Sequence, residues 1–369
     1  MGVGRLSVLG EFAAWCAYAD AVKQAVARVG AIVVATTVMT ALIAASVLMG
    51  SPHVASAESG SKRYPDVTRV SSASAHLRFT LPTSSGTAYS PNNPNLADRT
   101  IRKSPMVLFL AATRARPMDY RSFISTAAGA GYHVLALDYT NTGRSVQATC
   151  RAKAACYTAV QRNRLDGSHS SAFSSVRPAD SILARLRSAL RYLRANDPNG
   201  GWGRYLNGST INWSRIVVAG HSQGGGESAY ISHLHKVRGA LMFASPVETT
   251  NGVAASWMHK PGKTSASRLY AFDSDNDMFF SKIRGSWTML GMDTFGAPQT
   301  IVAGEPLHSH ELLSARDIGN KHESHSRTIT DNTPRSHGVP VFRSVWKWML
   351  AQLYTRPASA HTADSSKSP

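Results

Sequence analysis

One feature constrains this chain more than any other. The pentapeptide Gly220-His221-Ser222-Gln223-Gly224 follows directly on the apolar run 216–219 and directly precedes a segment of helical composition, 222–235. An apolar run without polar alternation reads as a strand buried on both faces. A chain that passes from such a strand to a helix within one residue must put that residue in a strained backbone conformation. Side chains two positions to either side would then collide with the neighbouring strand and helix. Gly220 and Gly224 remove both. G-x-S-x-G alone is a weak signal, since a chain with this much Gly and Ser matches it by chance in about one case in five to ten. The strand–turn–helix setting gives the motif its meaning: Ser222 stands clear of the backbone at a helix N-terminus, where negative charge is favoured.

The rest of the pattern supplies the sheet that such a turn needs. Further strands are predicted at 76–81, 106–111, 132–137, 240–244, 268–272 and 300–303, and helices at 120–130, 181–193 and 341–353. Buried strands joined by helical segments imply a mostly parallel central sheet flanked by helices, with right-handed crossovers. No internal repeat and no second core is visible, so one domain over 58–355 is predicted. The Ser-rich stretch 58–75 reads as a linker. Residues 144–215 break the strand–helix rhythm and are expected to form a cap or decorated surface. The small, polar tail 356–369 is expected to be disordered.

The N-terminal 57 residues read as a targeting segment. Lys23 and Arg28 are basic, 31–50 is uncharged and apolar, and Ala55-Ser56-Ala57 is a small-residue cleavage site. Export with cleavage after Ala57 is expected, to the periplasm or beyond; retention of 31–50 as a membrane anchor is the alternative. A translation start downstream of Met1 is left open, because the leader before Lys23 is long. Cleavage leaves Cys150 and Cys156, and an even count in an exported protein reads as a disulfide. The formal charge of +18 favours anionic partners, such as polymers of a cell envelope, weakly. The Lys and Arg residues form no long run and no zinc-finger or basic-heptad spacing occurs, which argues against nucleic acid.

On Gly220–Gly225, Cys150 and Cys156, 181–193 and 285–291 the chain resembles the α/β-hydrolase superfamily, and more narrowly a group of exported bacterial hydrolase-like proteins. The turn Asp138, Asn141, Gly143, Ser145 is similar to a D-x-x-G-x-G-x-S turn of that fold, with Asn141 in place of the first glycine. The resemblance spans about residues 100–355 and implies the chain order Ser, acid, His. The acid is then expected a few residues beyond 268–272. Asp277 fits best, with Asp275 and Glu248 as alternatives. The base is sought among His308, His310, His322 and His325, in the loop after the last predicted strand. The resemblance to the narrower group implies a His six residues before an Asp, just upstream of a Thr-Pro pair, which His325, Asp331 and Thr333-Pro334 fit; His322 comes next. One oxyanion donor is the N–H of Gln223. The other is expected from Ala112 or Thr113, in a loop where relatives carry glycine and this chain has none.

No cofactor is implied. Asp273-x-Asp275-x-Asp277 has calcium-like spacing, but Met278 and Arg284 stand where a calcium loop needs Gly and Glu. His308-x-His310-Glu311 has no second cluster to complete a metal site. The expected function is hydrolysis of a small or lipid-like ester. The alternatives are a peptidase, thioesterase or acyltransferase with the same residues, or a non-catalytic binding protein that keeps the fold. The substrate and the oligomeric state are not legible.

Overall fold

The computed structural model describes residues 67–70, 74–82, 94–100, 104–170 and 173–354. Ten strands form the main sheet: β1 (Val67–Val70), β2 (Ser74–Phe79), β3 (Asn95–Thr100), β4 (Met106–Leu110), β5 (His133–Leu137), β6 (Ile216–His221), β7 (Gly239–Phe243), β8 (Leu269–Ser274), β9 (Gln299–Thr300) and β10 (Glu311–Ser314). Their spatial order is β1-β2-β3-β5-β4-β6-β7-β8-β10-β9. From β5 to β9 every pairing is parallel; β1, β2 and β3 join antiparallel at one edge.

The two faces of the sheet are separated by the period-2 alternation of its strands. Met106, Leu108, Leu110, Leu135 and Val218 point to one side and pack with Leu186, Leu190 and Leu193 of the helix Ile182–Asn196. Val107, Phe109, Val134, Val217 and Ala219 point to the other and pack with Phe123 of Arg121–Gly129 and Trp346 and Leu350 of Arg343–Tyr354. In chain order the helices are α1 (Arg121–Gly129), α2 (Val146–Cys150), α3 (Ala154–Asp166), α4 (Ile182–Asn196), α5 (Gln223–Leu234), α6 (Phe280–Met289), α7 (Lys321–Arg327) and α8 (Arg343–Tyr354). The outcome is a mostly parallel sheet flanked by helices, as the apolar runs imply.

Two sequence-based expectations need correction, and one strand was not foreseen. Residues 58–75 are not wholly linker, because β1 lies within them. The strand β3 was not foreseen; its sequence NLADRT is polar, yet Asn95, Asp98 and Arg99 are buried. The last strand of the sheet in chain order is not 300–303. Gln299–Thr300 is a two-residue edge, and the long pairing with β8 is made by Glu311–Ser314. Its Glu311 is buried and ion-paired with Arg284, a polar start that hid the strand.

The segment 144–215 divides in two. Its first part carries α2 and α3 with the Cys150–Cys156 disulfide, and Ser145, Gln147 and Ala148 reach the cleft described below. Its second part, α4, covers the sheet as an ordinary crossover helix between β5 and β6. Residues 1–66, with the leader, and 355–369 lie outside the described residues. Among the described residues no helix is long and apolar enough to cross a membrane.

The polar strand β3 is held by one buried ion pair. Arg99 donates to both carboxylate oxygens of Asp197, the residue that ends α4, at 2.7 and 2.9 Å, and the Trp202 indole donates to the same carboxylate. Both charges are almost fully shielded from solvent. Arg99→Met alone strands the Asp197 carboxylate and should cost about 3–5 kcal/mol in urea unfolding. Arg99→Met with Asp197→Leu should recover most of that loss. A double variant no more stable than the single one would mean that the charges themselves, not their mutual pairing, are needed.

Candidate active site

Ser222 is the single residue between β6 and α5, at φ 51° and ψ −114°. Its N–H donates to the carbonyl of Phe243 on β7 at 2.9 Å, which holds the turn against the sheet. A Cβ at Gly220 would overlap the Gly224 carbonyl, and one at Gly224 would overlap the Leu110 and Ala111 carbonyls at the end of β4. Both glycines are therefore steric requirements of the turn.

His325 lies in the short helix α7. That helix begins with a reciprocal cap, Asn320 accepting from the N–H groups of His322 and Glu323 while Glu323 accepts from the Asn320 N–H. Past α7 the chain is fastened by Asp331, which accepts from Ser122 N–H at 2.8 Å and Arg121 Nε at 3.1 Å. So held, His325 places Nε2 2.8 Å from Ser222 Oγ and Nδ1 2.6 Å from Asp277 Oδ2. A carboxylate accepts only, so Nδ1 carries the proton and Nε2 presents its lone pair to the serine hydroxyl. Asp277 stands in the turn after β8. Its other oxygen accepts from Phe279 N–H at 2.6 Å. Behind it, burial and then the charge of Asp277 push the Asp273 carboxyl well above the usual range, which favours its protonated form.

A second histidine, not singled out in the sequence, joins this array. His221 of the elbow is fully buried; its Nε2 lies 3.0 Å from the His325 carbonyl and its Nδ1 2.9 Å from Tyr120 Oη. Tyr120 Oη accepts from Ala112 N–H at 3.1 Å. Burial pushes the Tyr120 phenol up, so it stays protonated and gives its own hydrogen to His221 Nδ1. The His221 Nε2–H is then left to donate to the His325 carbonyl. Its presence within G-x-S-x-G was the one sequence signal available; Tyr120 offered none.

The loop after β4 departs from expectation. Lacking glycine, it still takes a positive φ, at Arg114 (63°). Asn141 holds it there: its Nδ2 donates to the carbonyls of Ala112 and Ala115 at 2.6 and 2.7 Å, and its carbonyl accepts from Arg114 N–H. The Arg114 guanidinium donates to the Gly143 carbonyl. The Ala112 N–H is occupied by Tyr120. Thr113 instead bonds the elbow through its hydroxyl, which donates to Gln223 Oε1 at 2.7 Å. Gln223 begins α5, so its N–H belongs to the first turn, which has no intrahelical acceptor.

The other candidates are not drawn in. Asp275 is solvent-exposed. Glu248 is buried, but its oxygens accept from Gln161 Nε2 and Trp257 Nε1, not from a histidine. His322 is exposed at the rim of the cleft. His308 and His310 precede the last long strand instead of following it, and His310 stacks on Tyr270. Among the described residues no cluster of His, Cys, Asp and Glu is arranged to hold a metal ion. A cleft of about 730 Å³ opens over Ser222 and His325, with Met118, Tyr120, Met278 and Phe279 in its walls.

The sheet order, the parallel register and the strained serine between a central strand and its helix define an α/β-hydrolase fold. No protein-family model matches the chain, and no curated protein sequence matches it. Solved structures do align. Carboxyl esterase 2 of Tuber melanosporum is 12% identical over 77% of this chain and 89% of its own, at a TM-score of 0.41. The Pyrococcus furiosus esterase Pf2001 is 11% identical over 76% and 93%, at 0.38, and Thermus thermophilus TT1662 is 12% identical over 76% and 99%, at 0.40.

Burial, and after it the neighbouring His325, pushes His221 down to about 3. A histidine with a lowered pKa is neutral above it, so the His221 ring nitrogens should show no titration between roughly pH 5 and 8, where exposed histidines change charge. Long-range ¹⁵N correlation spectra read this directly. A His221 transition near 6.5 would mean the Tyr120–His221–His325 array does not hold in solution.

Proposed function

We propose that this chain is a serine hydrolase that cleaves carboxylic esters through an acyl-enzyme. The observation that carries the reading is the continuous hydrogen-bonded series Ser222 Oγ, His325, Asp277, built on a strained turn at the mouth of a cleft. Ser222 attacks the carbonyl carbon while His325 Nε2 takes its proton. The imidazolium, stabilised by Asp277, returns that proton to the leaving alcohol. Water then repeats the sequence against the acyl-enzyme. Negative charge on the carbonyl oxygen is met by the Gln223 N–H at the start of α5 and by the Thr113 N–H, the latter because Ala112 N–H is already used by Tyr120.

The absence of glycine after β4 would favour a binding protein that merely retains the fold; against that reading, the loop reaches a positive φ at Arg114 without glycine, with Asn141 beneath it. An ester is the least demanding substrate for this machinery. Thioesters and peptides are separated from it by a panel of activated substrates. We further propose that the protein is exported by its leader, with a mature N-terminus at Glu58.

Ser222→Ala should abolish both ester turnover and labelling by a fluorophosphonate. His325→Ala should be nearly as damaging, and Asp277→Asn should lower kcat by about 10³–10⁴-fold, because the amide permits the wrong imidazole tautomer. Combining the three should cost little more than the worst single change. Labelling that survives Ser222→Ala would place the nucleophile elsewhere and defeat the reading.

A further inference from the structure

Behind Ser222 the cleft has an inner annex. It is small, about 30 Å³, and it shares Ser145, Gln147, Ser222 and Phe279 with the main cleft, so it adjoins that cleft beside Ser222. Its far wall is polar: Gln161 and Glu248, both almost wholly buried. The helix α5 makes room for them. A Cβ at Gly226 would come within 2.8 Å of Glu248 Oε1 and 2.9 Å of Gln161 Nε2. This is a third glycine of the elbow region that the turn itself does not need.

The polar wall is incompletely satisfied. Gln161 spends its amide N–H on Glu248, and Trp257 donates to the other carboxylate oxygen. The Gln161 Oε1 has no hydrogen-bond partner in a site shielded from solvent. A buried amide oxygen without a donor is unfavourable, and a donor that arrives with a ligand relieves this. The volume admits about one or two heavy atoms beyond a carbonyl carbon. Arg164 acts on Glu248 from within the same buried group, which weighs against a cationic guest.

We propose that this annex is a subsite for a hydroxyl group carried on the carbon next to the scissile carbonyl, so that the preferred substrates are esters of short 2-hydroxy acids. The inference rests on the hydrolase reading above. Gln161 accepts the substrate hydroxyl and thereby orients the acyl group over Ser222; longer or purely apolar acyl chains find no room and no partner there.

The test compares phenyl glycolate with phenyl propionate, which exchange a hydroxyl for a methyl at nearly constant size. Phenyl acetate serves as the reference, and each rate is divided by the ester's own hydroxide-catalysed rate. The expected result is a kcat/KM for glycolate at least about 10-fold above propionate, since a site built to bond a hydroxyl rejects the analogue that lacks it. Gln161→Leu should bring that ratio close to one. If that variant does not fold, Gln161→Met, closer in shape, carries the same expectation, and the wild-type ratio is decisive in any case. Equal rates on the wild-type enzyme, or a preference that Gln161 variants leave untouched, overturn the subsite. Failure to turn over any of the three esters, together with absent fluorophosphonate labelling, would instead sink the hydrolase reading itself.

Discussion

The whole site depends on one backbone constraint, the passage from β6 to α5 through a single residue at positive φ. A serine in that conformation is held against its own preference, which persists only where the surroundings over-determine it. Here they do so from three sides. The Phe243 carbonyl binds the Ser222 N–H, β4 presses on Gly224, and the Gly224 carbonyl leaves no space for a side chain at 220. The same pressure points the hydroxyl away from the core and aims the first N–H groups of α5 beside it. Position and electrostatics of the serine therefore come from one source.

Around that turn, three loops that are far apart in sequence are tied into one body by buried polar groups. His221 takes the carbonyl of His325 and the hydroxyl of Tyr120, and Tyr120 takes the N–H of Ala112. Gln223 takes the hydroxyl of Thr113, and Asn141 takes the carbonyls of Ala112 and Ala115. Each of these bonds is modest on its own, on the order of 1 kcal/mol. Their effect is geometric: His325 and the loop 112–115 are referenced to the elbow directly, instead of each being positioned through the sheet.

This arrangement keeps acidic groups in places where charge is disfavoured. Burial raises Glu227 and Asp273 well above their ordinary values and brings Glu248 to about 7. A carboxyl that holds its proton more tightly in the folded chain than in the unfolded one favours folding at low pH. That contribution is lost as the pH rises from the unfolded value through the folded one. For Glu248 the window runs from the ordinary glutamate range to about 7. These residues thus oppose stability at neutral pH. Two of them stand beside the candidate site, Asp273 next to Asp277 and Glu248 at the annex.

How much of this was legible in the chain follows from range. Sequence alone determined the buried strands, the covering helices and the elbow, because apolar periodicity and steric glycines act within a few residues. It also narrowed the base and acid to a few candidates through chain order. The strands β3 and β10 escaped, because their polar residues are satisfied by partners far along the chain, Asp197 for Arg99 and Arg284 for Glu311. Only the tertiary structure shows that Asp277 and His325, and not Asp275 and His322, are the ones hydrogen-bonded in series with Ser222. Each pair stands two or three residues apart on one turn, and which member faces Ser222 depends on how β8 and α7 are packed. The same holds for Arg114: an L-residue at positive φ is disfavoured locally, and it is stabilised by Asn141, a neighbour that lies close only after the sheet has formed.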